Sequence, residues 1–309
     1  MGLNAHFFQV RIFFANPVSR YMTLSLFLES DKAGTPHYAL FGNPVEHSLS
    51  PLMHNTALDF YGSEARYYAI ELQPDELSRL ASYFNEDAFL GGNITLPYKQ
   101  VIADYLDTVD SVAESIGAVN TIVKKGEGVR LQGYNTDVHG FLAPLGDYVH
   151  QLQRNRAIVF GTGGASRAVV TALTELGMDE LYLVSRNPGK VDSFNHYPAV
   201  SVISYHEWTS YAEESRLIVN TTPLGMDPRV DTSPVKESDQ EYLSGRICYD
   251  VVYNPMKTKF LALAEQAGAT TIGGLEMLIQ QGSRSFEYWT GRSFPLDNVR
   301  KRLYAHFRQ

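Results

Sequence analysis

The sequence predicts an α/β protein made of two α/β domains, the first on a mixed sheet and the second on a doubly wound parallel sheet. Three observations carry this. At 309 residues the chain is long enough for two domains of ordinary size. Short apolar runs alternate with helix-length segments from Tyr38 to Ile272. One strand–turn–helix unit, Ala157 to Leu176, contains the glycine-rich turn Gly161-Thr162-Gly163-Gly164, the usual start of a doubly wound half.

The elements follow in order. Tyr38 to Phe41 is a short strand ending at Gly42, and a polar loop runs from Asn43 to Ser50. Ser50 and Pro51 read as the N-cap and first residue of a helix that closes at Gly62. Arg66 to Glu71 is the next strand, and Pro74 to Leu77 opens a helix that ends before Asn85. Ala88-Phe89-Leu90 is the body of a buried strand. Ala118 to Val123 and Val129 to Tyr134 form a hairpin about the turn Lys124-Lys125-Gly126-Glu127-Gly128, which makes this sheet mixed. Thr136-Asp137 caps a helix running toward Gln151. The strand Ala157 to Phe160 leads through the glycine turn into a helix from Ala165 to Leu176, closed by Gly177. Leu181 to Val184, Leu217 to Asn220, Ile247 to Val252 and Thr270 to Ile272 continue the parallel sheet. Leu275 to Thr290 and Pro295 to Phe307 are two closing helices.

Composition excludes several classes. A hydrophobic fraction of 44% and a charged fraction of 19% describe a soluble globular chain. The net charge of −8, from 26 basic and 34 acidic residues, argues against a nucleic-acid partner. An anionic ligand must therefore be held by local groups. No run reaches membrane-spanning length. The single cysteine, Cys248, lies in the apolar run Ile247 to Val252 and reads as a small buried hydrophobe rather than a nucleophile. Without an intrachain disulfide the chain fits a reducing compartment, and the expected location is cytoplasmic. The segment Met1 to Leu28 has no acidic residue and two arginines, but no convincing cleavage site. Met22 is an equally good start, and residues 1–36 are assigned no role.

The chemistry is expected in Gly91-Gly92-Asn93-Ile94-Thr95-Leu96-Pro97-Tyr98-Lys99. The two glycines allow close approach of backbone or ligand. Asn93 and Thr95 alternate along an extended segment, so both can face one side. Pro97 suits the first turn of a helix, and Lys99 then lies at that helix start, where the dipole disfavours a cation. Such a lysine is either a solvated surface group or a general acid/base beside two side chains that bind a polyhydroxylated substrate.

The glycine turn has the strand-before, helix-after context of a dinucleotide site, although an ordinary tight turn would look alike. Its first glycine permits the turn and its second lets backbone approach a pyrophosphate, while Ser166 stands where a third glycine is usual. At the end of the following strand, Ser185-Arg186-Asn187 replaces the acid that holds a ribose 2′-hydroxyl in NAD sites. A guanidinium can pair with a 2′-phosphate, so the expected cofactor is NADP(H). His47 and His54 have no compact set of partners, and no metal is expected.

Taken together these stretches resemble the shikimate dehydrogenase family, over almost the whole chain from about Tyr38. The matching runs are Gly42-Asn43-Pro44, His47 to Pro51 with His54-Asn55, Asn93 to Lys99, Gly117 to Thr121 and Gly133 to Asp137. The glycine turn, Asn220 to Met226, Asp250 with Tyr253-Asn254-Pro255, and Gly274 to Leu278 complete the set. Their order and spacing are highly specific. The resemblance implies reversible reduction of 3-dehydroshikimate to shikimate with NADPH, in aromatic amino-acid biosynthesis. It implies Lys99 and Asp137 at the reacting oxygen, and substrate contacts from Ser48, Ser50, Asn93, Thr95, Asn120, Tyr253 and Gln281. It assigns Gly161, Gly163, Gly164 and Ala165 to the pyrophosphate and Ser185, Arg186 and Asn187 to the adenosine phosphate, with Thr221, Gly274 and Met277 also on the cofactor. Met277 alone would read as core, Asn120 as a turn residue, Asp137 as a helix cap and the two serines as loop hydroxyls.

The resemblance further implies that the closing helices return to the first domain. The expected limits are 37–137 with 275–309 for the substrate domain and 138–274 for the Rossmann-like NADP domain. The rival readings are a quinate/shikimate dehydrogenase with relaxed cofactor use and a non-catalytic NADP-binding sensor. The expected assembly is a monomer or a homodimer.

Overall fold

The computed structural model describes residues 21–126 and 130–308. In chain order the first half contains β1 (Met22–Thr23), α1 (Leu24–Leu28), β2 (His37–Gly42), α2 (Ser50–Phe60), β3 (Arg66–Glu71), α3 (Leu77–Tyr83), β4 (Phe89–Ile94), β5 (Thr108–Val109), α4 (Ser111–Ile116), β6 (Thr121–Lys125) and β7 (Arg130–Tyr134). The chain then continues through α5 (Asp137–Leu142), α6 (Val149–Leu152), β8 (Arg156–Phe160), α7 (Gly164–Leu176), β9 (Glu180–Ser185), β10 (Val200–Ser204), α8 (Trp208–Ala212), β11 (Ser215–Asn220), β12 (Ile247–Asp250), α9 (Lys259–Gln266) and β13 (Thr270–Ile272). It ends with α10 (Gly274–Thr290) and α11 (Leu296–His306).

The strands form two sheets. The first has seven strands in the order β1-β3-β2-β4-β6-β7-β5, and the β4–β6 and β6–β7 pairs are antiparallel. The second has six, in the order β10-β9-β8-β11-β12-β13, all parallel. That is the strand order of a dinucleotide-binding doubly wound sheet. In β8, Ala157 and Val159 enter one core while Ile158 and Phe160 enter another. Alternation puts successive side chains on opposite faces, and both faces are covered. β2 divides likewise: Ala39 and Phe41 point to one side, Tyr38 and Leu40 to the other.

The closing helices lie on the first sheet. Leu275, Ile279, Phe286, Val299 and Leu303 share a core with Tyr38, Leu40 and Met53. The chain therefore crosses between sheets twice, through α5 and at Gly273-Gly274. These crossings touch: a Cβ on Gly140 would stand 2.7 Å from the Gln281 Cβ and from the Met277 carbonyl. Only a glycine lets α5 and α10 approach so closely.

Several expectations need correction. β1 pairs with β3, and Leu24 and Phe27 are fully buried. Residues 22–36 thus belong to the first sheet and its core, because an edge strand and two apolar side chains anchor them. The N-cap of α2 is Leu49, not Ser50. The hairpin strand starts at Thr121, because α4 ends at Gly117 in a left-handed conformation and the Ala118 and Val119 N–H groups bond the Ala113 and Lys99 carbonyls. Glu127 and Gly128 of the expected turn lie outside the described residues. The helix expected to reach Gln151 is broken into α5, a 3-10 segment (Ala143–Tyr148) with Pro144 near its start, and α6. The short elements β5, β10, α4, α8 and α9 were not anticipated.

Candidate active site

Lys99 comes from the turn after β4. No α-helix starts there: residues 96–100 form turns leading to a 3-10 helix, Val101–Tyr105. The helix-dipole reading of Lys99 therefore falls. Its carbonyl instead accepts from the Val119 N–H at 2.7 Å, which ties the turn to the segment before β6. The Lys99 Nζ meets Asp137 Oδ2 at 2.7 Å, with side chains 21% and 12% exposed. A pair so shielded is screened less by salt than a surface pair.

Asp137 is the first residue of α5, with Thr136 before it, and Thr136 makes no side-chain capping bond. The carboxylate is not a cap. Its second oxygen accepts from Asn120 Nδ2 at 2.8 Å. Asn120 gives its other N–H to Thr136 Oγ1 at 3.0 Å, and its carbonyl oxygen accepts from the Thr136 N–H at 2.8 Å. The amide is thus fully engaged within the protein, where it orients Asp137.

Asn93 is buried at the end of β4. Its Nδ2 faces the Asn120 carbonyl, Thr121 Oγ1 and Ser285 Oγ at 3.0–3.1 Å, and its Oδ1 accepts from the Tyr67 hydroxyl at 2.8 Å. Thr95 is half-buried one step along the chain and packs over Gly42. The glycines before them make room for protein: a Cβ on Gly91 would strike the Trp289 indole, and one on Gly92 the Ala39 carbonyl. Ser48 Oγ accepts from the Ser50 N–H at 3.2 Å. Tyr253, beyond β12, packs on the core of the first sheet. Burial pushes its hydroxyl above the ordinary range, opposed by a hydrogen bond with the Leu49 backbone between the two serines. Gln281 lies on α10 within 3.5 Å of Thr136 Oγ1. Of these groups, Asn93 is linked to Asp137 through Asn120, and Gln281 reaches the neighbouring Thr136.

The nucleotide turn is also well defined. Gly161 has φ +109, and a Cβ there would stand 2.6 Å from Thr221 Oγ1. Ser166, in the third-glycine position, is fully buried and hydrogen-bonds Thr221 Oγ1 at 2.7 Å. A small hydroxyl there bridges α7 to the end of β11. Gly163 and Gly164 have nothing within 4 Å of a built Cβ, and the 13-residue α7 starts there with no side-chain cap. Open space at an uncapped helix start fits a bound pyrophosphate. Ala165 is half-buried in the same turn. Ser185 Oγ accepts from the Asn187 N–H at 3.2 Å, while Arg186 and Asn187 are exposed. Burial raises the Tyr205 hydroxyl, and the nearby Arg186 charge opposes it. Met277 is buried with Phe141 and Tyr249. Gly274 lies against the Val251 carbonyl, 2.3 Å from where a Cβ would be.

A cavity of about 670 Å³ lies beside Glu276, Gln280 and Arg300, but neither Lys99 nor Asp137 lines it. Among the described residues no group of three or more His, Cys, Asp or Glu could hold a metal ion. No helix among them is long and apolar enough to cross a membrane. Sequence reasoning missed Tyr67, Thr121, Thr136 and Ser285. Ser285 lies one helical turn beyond Gln281, a spacing that could have pointed to it; Tyr67 gave no signal beyond strand alternation.

The parallel sheet with its glycine turn, joined to a mixed sheet carrying a lysine–aspartate pair, defines a two-domain dehydrogenase with a Rossmann-like nucleotide domain. Comparison with known proteins narrows this. Residues 40–122 match the model of the shikimate dehydrogenase substrate binding domain, and residues 274–304 that of the shikimate 5'-dehydrogenase C-terminal domain. The shikimate dehydrogenase (NADP(+)) of Moorella thermoacetica is 42% identical over 273 residues, covering 86% of this chain and 91% of its own. The fold is similar to a chorismate mutase/shikimate 5-dehydrogenase fusion protein from Clostridium acetobutylicum, with a TM-score of 0.81, 32% identity, and coverage of 89% of this chain and 99% of that one. It is also similar to the Thermus thermophilus shikimate 5-dehydrogenase in complex with NADP(H) and shikimate, with a TM-score of 0.76, 34% identity, and coverage of 88% and 99%. The chain belongs to the shikimate dehydrogenase family.

Proposed function

We propose that this protein is an NADP-linked shikimate dehydrogenase that interconverts 3-dehydroshikimate and shikimate. The observation that carries the reading is the Lys99–Asp137 pair, held at 2.7 Å in a chain of this family. On this reading residues 37–137 and 275–309 bind the substrate, with residues 22–36 completing their sheet, and residues 138–274 bind NADP(H). The single cysteine, buried and free, fits a cytoplasmic enzyme.

NADPH, when bound at the glycine turn and Arg186, supplies the hydride. As the ketone carbon gains hydride, its oxygen gains negative charge. Lys99 donates a proton to that oxygen, completing the alcohol, and removes the same proton in reverse. Asp137 holds the ammonium in line and Asn120 holds Asp137. A well-placed acid of this kind is worth roughly 10²–10⁴ in rate. Ser48, Ser50 and Tyr253 hold the substrate carboxylate by directed hydrogen bonds. Asn93 offers an acceptor to a ring hydroxyl, and Thr95 and Gln281 offer donors and acceptors.

The test is a panel of assays: NADPH consumption with 3-dehydroshikimate, then NADP⁺ and NAD⁺ reduction with shikimate and with quinate. Turnover of shikimate with NADP⁺ well above the other combinations is expected. Comparable turnover of quinate with NAD⁺ would assign the broader quinate/shikimate activity. Binding of NADPH with no turnover would assign a sensor.

A further inference from the structure

We propose that Tyr67 and Ser285, neither of which reacts, are positioning residues that clamp the Asn93 amide in the one orientation that serves the substrate. This deepens the functional reading above and rests on it.

Donors and acceptors around Asn93 fix its orientation. Asn93 Nδ2 lies 3.1 Å from the Asn120 backbone carbonyl, which can only accept. The amide nitrogen must face that carbonyl, because turning the amide over would set two oxygens against each other. Oδ1 then points to the Tyr67 hydroxyl at 2.8 Å, so Tyr67 donates. On the nitrogen side, Ser285 Oγ lies 3.1 Å from Asn93 Nδ2 and 3.0 Å from the Gln281 carbonyl. That carbonyl also only accepts, so Ser285 donates to it; one Asn93 N–H goes to the Asn120 carbonyl and the other is shared between Ser285 Oγ and Thr121 Oγ1 at 3.0 Å. The oxygen side of the amide therefore meets the Tyr67 donor, and the nitrogen side meets Ser285 and Thr121 as acceptors.

Both hydroxyls reach further. Tyr67 is 1% exposed and also has a side-chain hydrogen bond with Ser50. Because its one proton goes to Asn93, it accepts from Ser50. One buried hydroxyl thus links α2 to β4, tying together two proposed substrate contacts. Ser285, fully buried on α10, also lies 2.9 Å from Thr121 Oγ1 and 3.2 Å from Thr136 Oγ1. It fastens α10, which returns from the second sheet, to β6 and to the residue before Asp137. What remains for a ligand is the second lone pair of Asn93 Oδ1, held as an acceptor for a ring hydroxyl.

Tyr67→Phe and Ser285→Ala each remove one oxygen and keep the rest. The Tyr67 ring would still stack on His54 at 4.4 Å between centroids. Steady-state kinetics with shikimate and NADP⁺, thermal unfolding, and a double-mutant cycle with Asn93→Ala test the proposal. Either single variant is expected to raise the KM for shikimate about tenfold, with kcat and the KM for NADP⁺ little changed. On the Asn93→Ala background each should cost little more, because the group it positions is gone. If one variant does not fold, the other reads the clamp from its own side. Unchanged KM for shikimate in a folded variant, or full additivity with Asn93→Ala, would overturn the proposal. A wild-type protein that turns over no shikimate would remove the functional reading and this role with it. An active wild type with indifferent variants would remove this role alone.

Discussion

Lys99 and Asp137, 38 residues apart in the chain, meet at 2.7 Å where the first sheet hands over to α5. Two backbone facts produce this. The Lys99 carbonyl is bonded by Val119, and the Asp137 N–H is held by Asn135 Oδ1 at 3.0 Å. Lys99→Ala is expected to lower kcat by about 10²–10⁴ while leaving shikimate affinity nearly unchanged. Rates would come from steady-state assay and affinity from calorimetry. A variant retaining most of its turnover would remove Lys99 from the proton step.

Asn120 acts behind that pair. Asn120→Ala leaves one Asp137 oxygen and the Thr136 N–H without their 2.8 Å partners. Two buried polar groups lose bonds, so unfolding stability should fall by about 1–3 kcal/mol. kcat should fall as well, because Asp137 no longer holds Lys99 in one place. Urea titration and turnover, measured together, check both; an undiminished kcat would show that Asp137 keeps its place without this amide.

Arg186 is exposed at the end of β9. Reversing its charge by Arg186→Asp should weaken NADPH far more than NADH, by a factor of about ten or more, since only NADPH brings a phosphate to that point. Kd values for both nucleotides by fluorescence titration decide it. Equal losses would mean that Arg186 does not read the 2′-phosphate.

Two buried groups give stability opposite dependences on pH. Burial holds His54 neutral, its pKa down at about 3 from 6.5, and both ring nitrogens lack partners among the described residues. The unfolded chain protonates first, so this contribution is whole above about 6.5 and is lost as pH falls toward 3. Burial raises Asp250 from 3.8 to about 6, against hydrogen bonds from Thr258, Val252 and Asn220. Here the folded chain binds the proton first, so its contribution is present below the unfolded pKa of 3.8 and is lost as pH rises through 6. Urea titrations from pH 3 to 8 should show a shallower acid limb in His54→Phe and no fall between pH 4 and 6 in Asp250→Asn. Curves parallel to wild type would contradict both signs.

Much of the fold was legible. The strands Arg66 to Glu71 and Thr270 to Ile272 have the limits the sequence predicts, because β-branched and aromatic residues bounded by turn residues act locally. Gly177 closes α7 in the left-handed conformation that glycine adopts without strain. The unread parts were those stabilised from a distance. α1 and β1 are too short to signal themselves and exist because Leu24 and Phe27 find a core. The turn at Pro97 looked like a helix start because the sequence does not show that Val119 bonds the Lys99 carbonyl.

By itself, the sequence determined the residue types, the strand and helix periods, and the motif order that marks the family. Those are properties of neighbours along a chain. Tertiary structure alone decided which polar groups face each other. The engagement of Asn120 with Thr136 and Asp137 follows from the pairing of β6 with β7 and the start of α5. Tyr67 and Ser285 gained their role only when β3 and α10 closed on Asn93 from two sides. A hydrogen bond depends on distance and direction in space, and spacing along the chain fixes these only within one helix or strand.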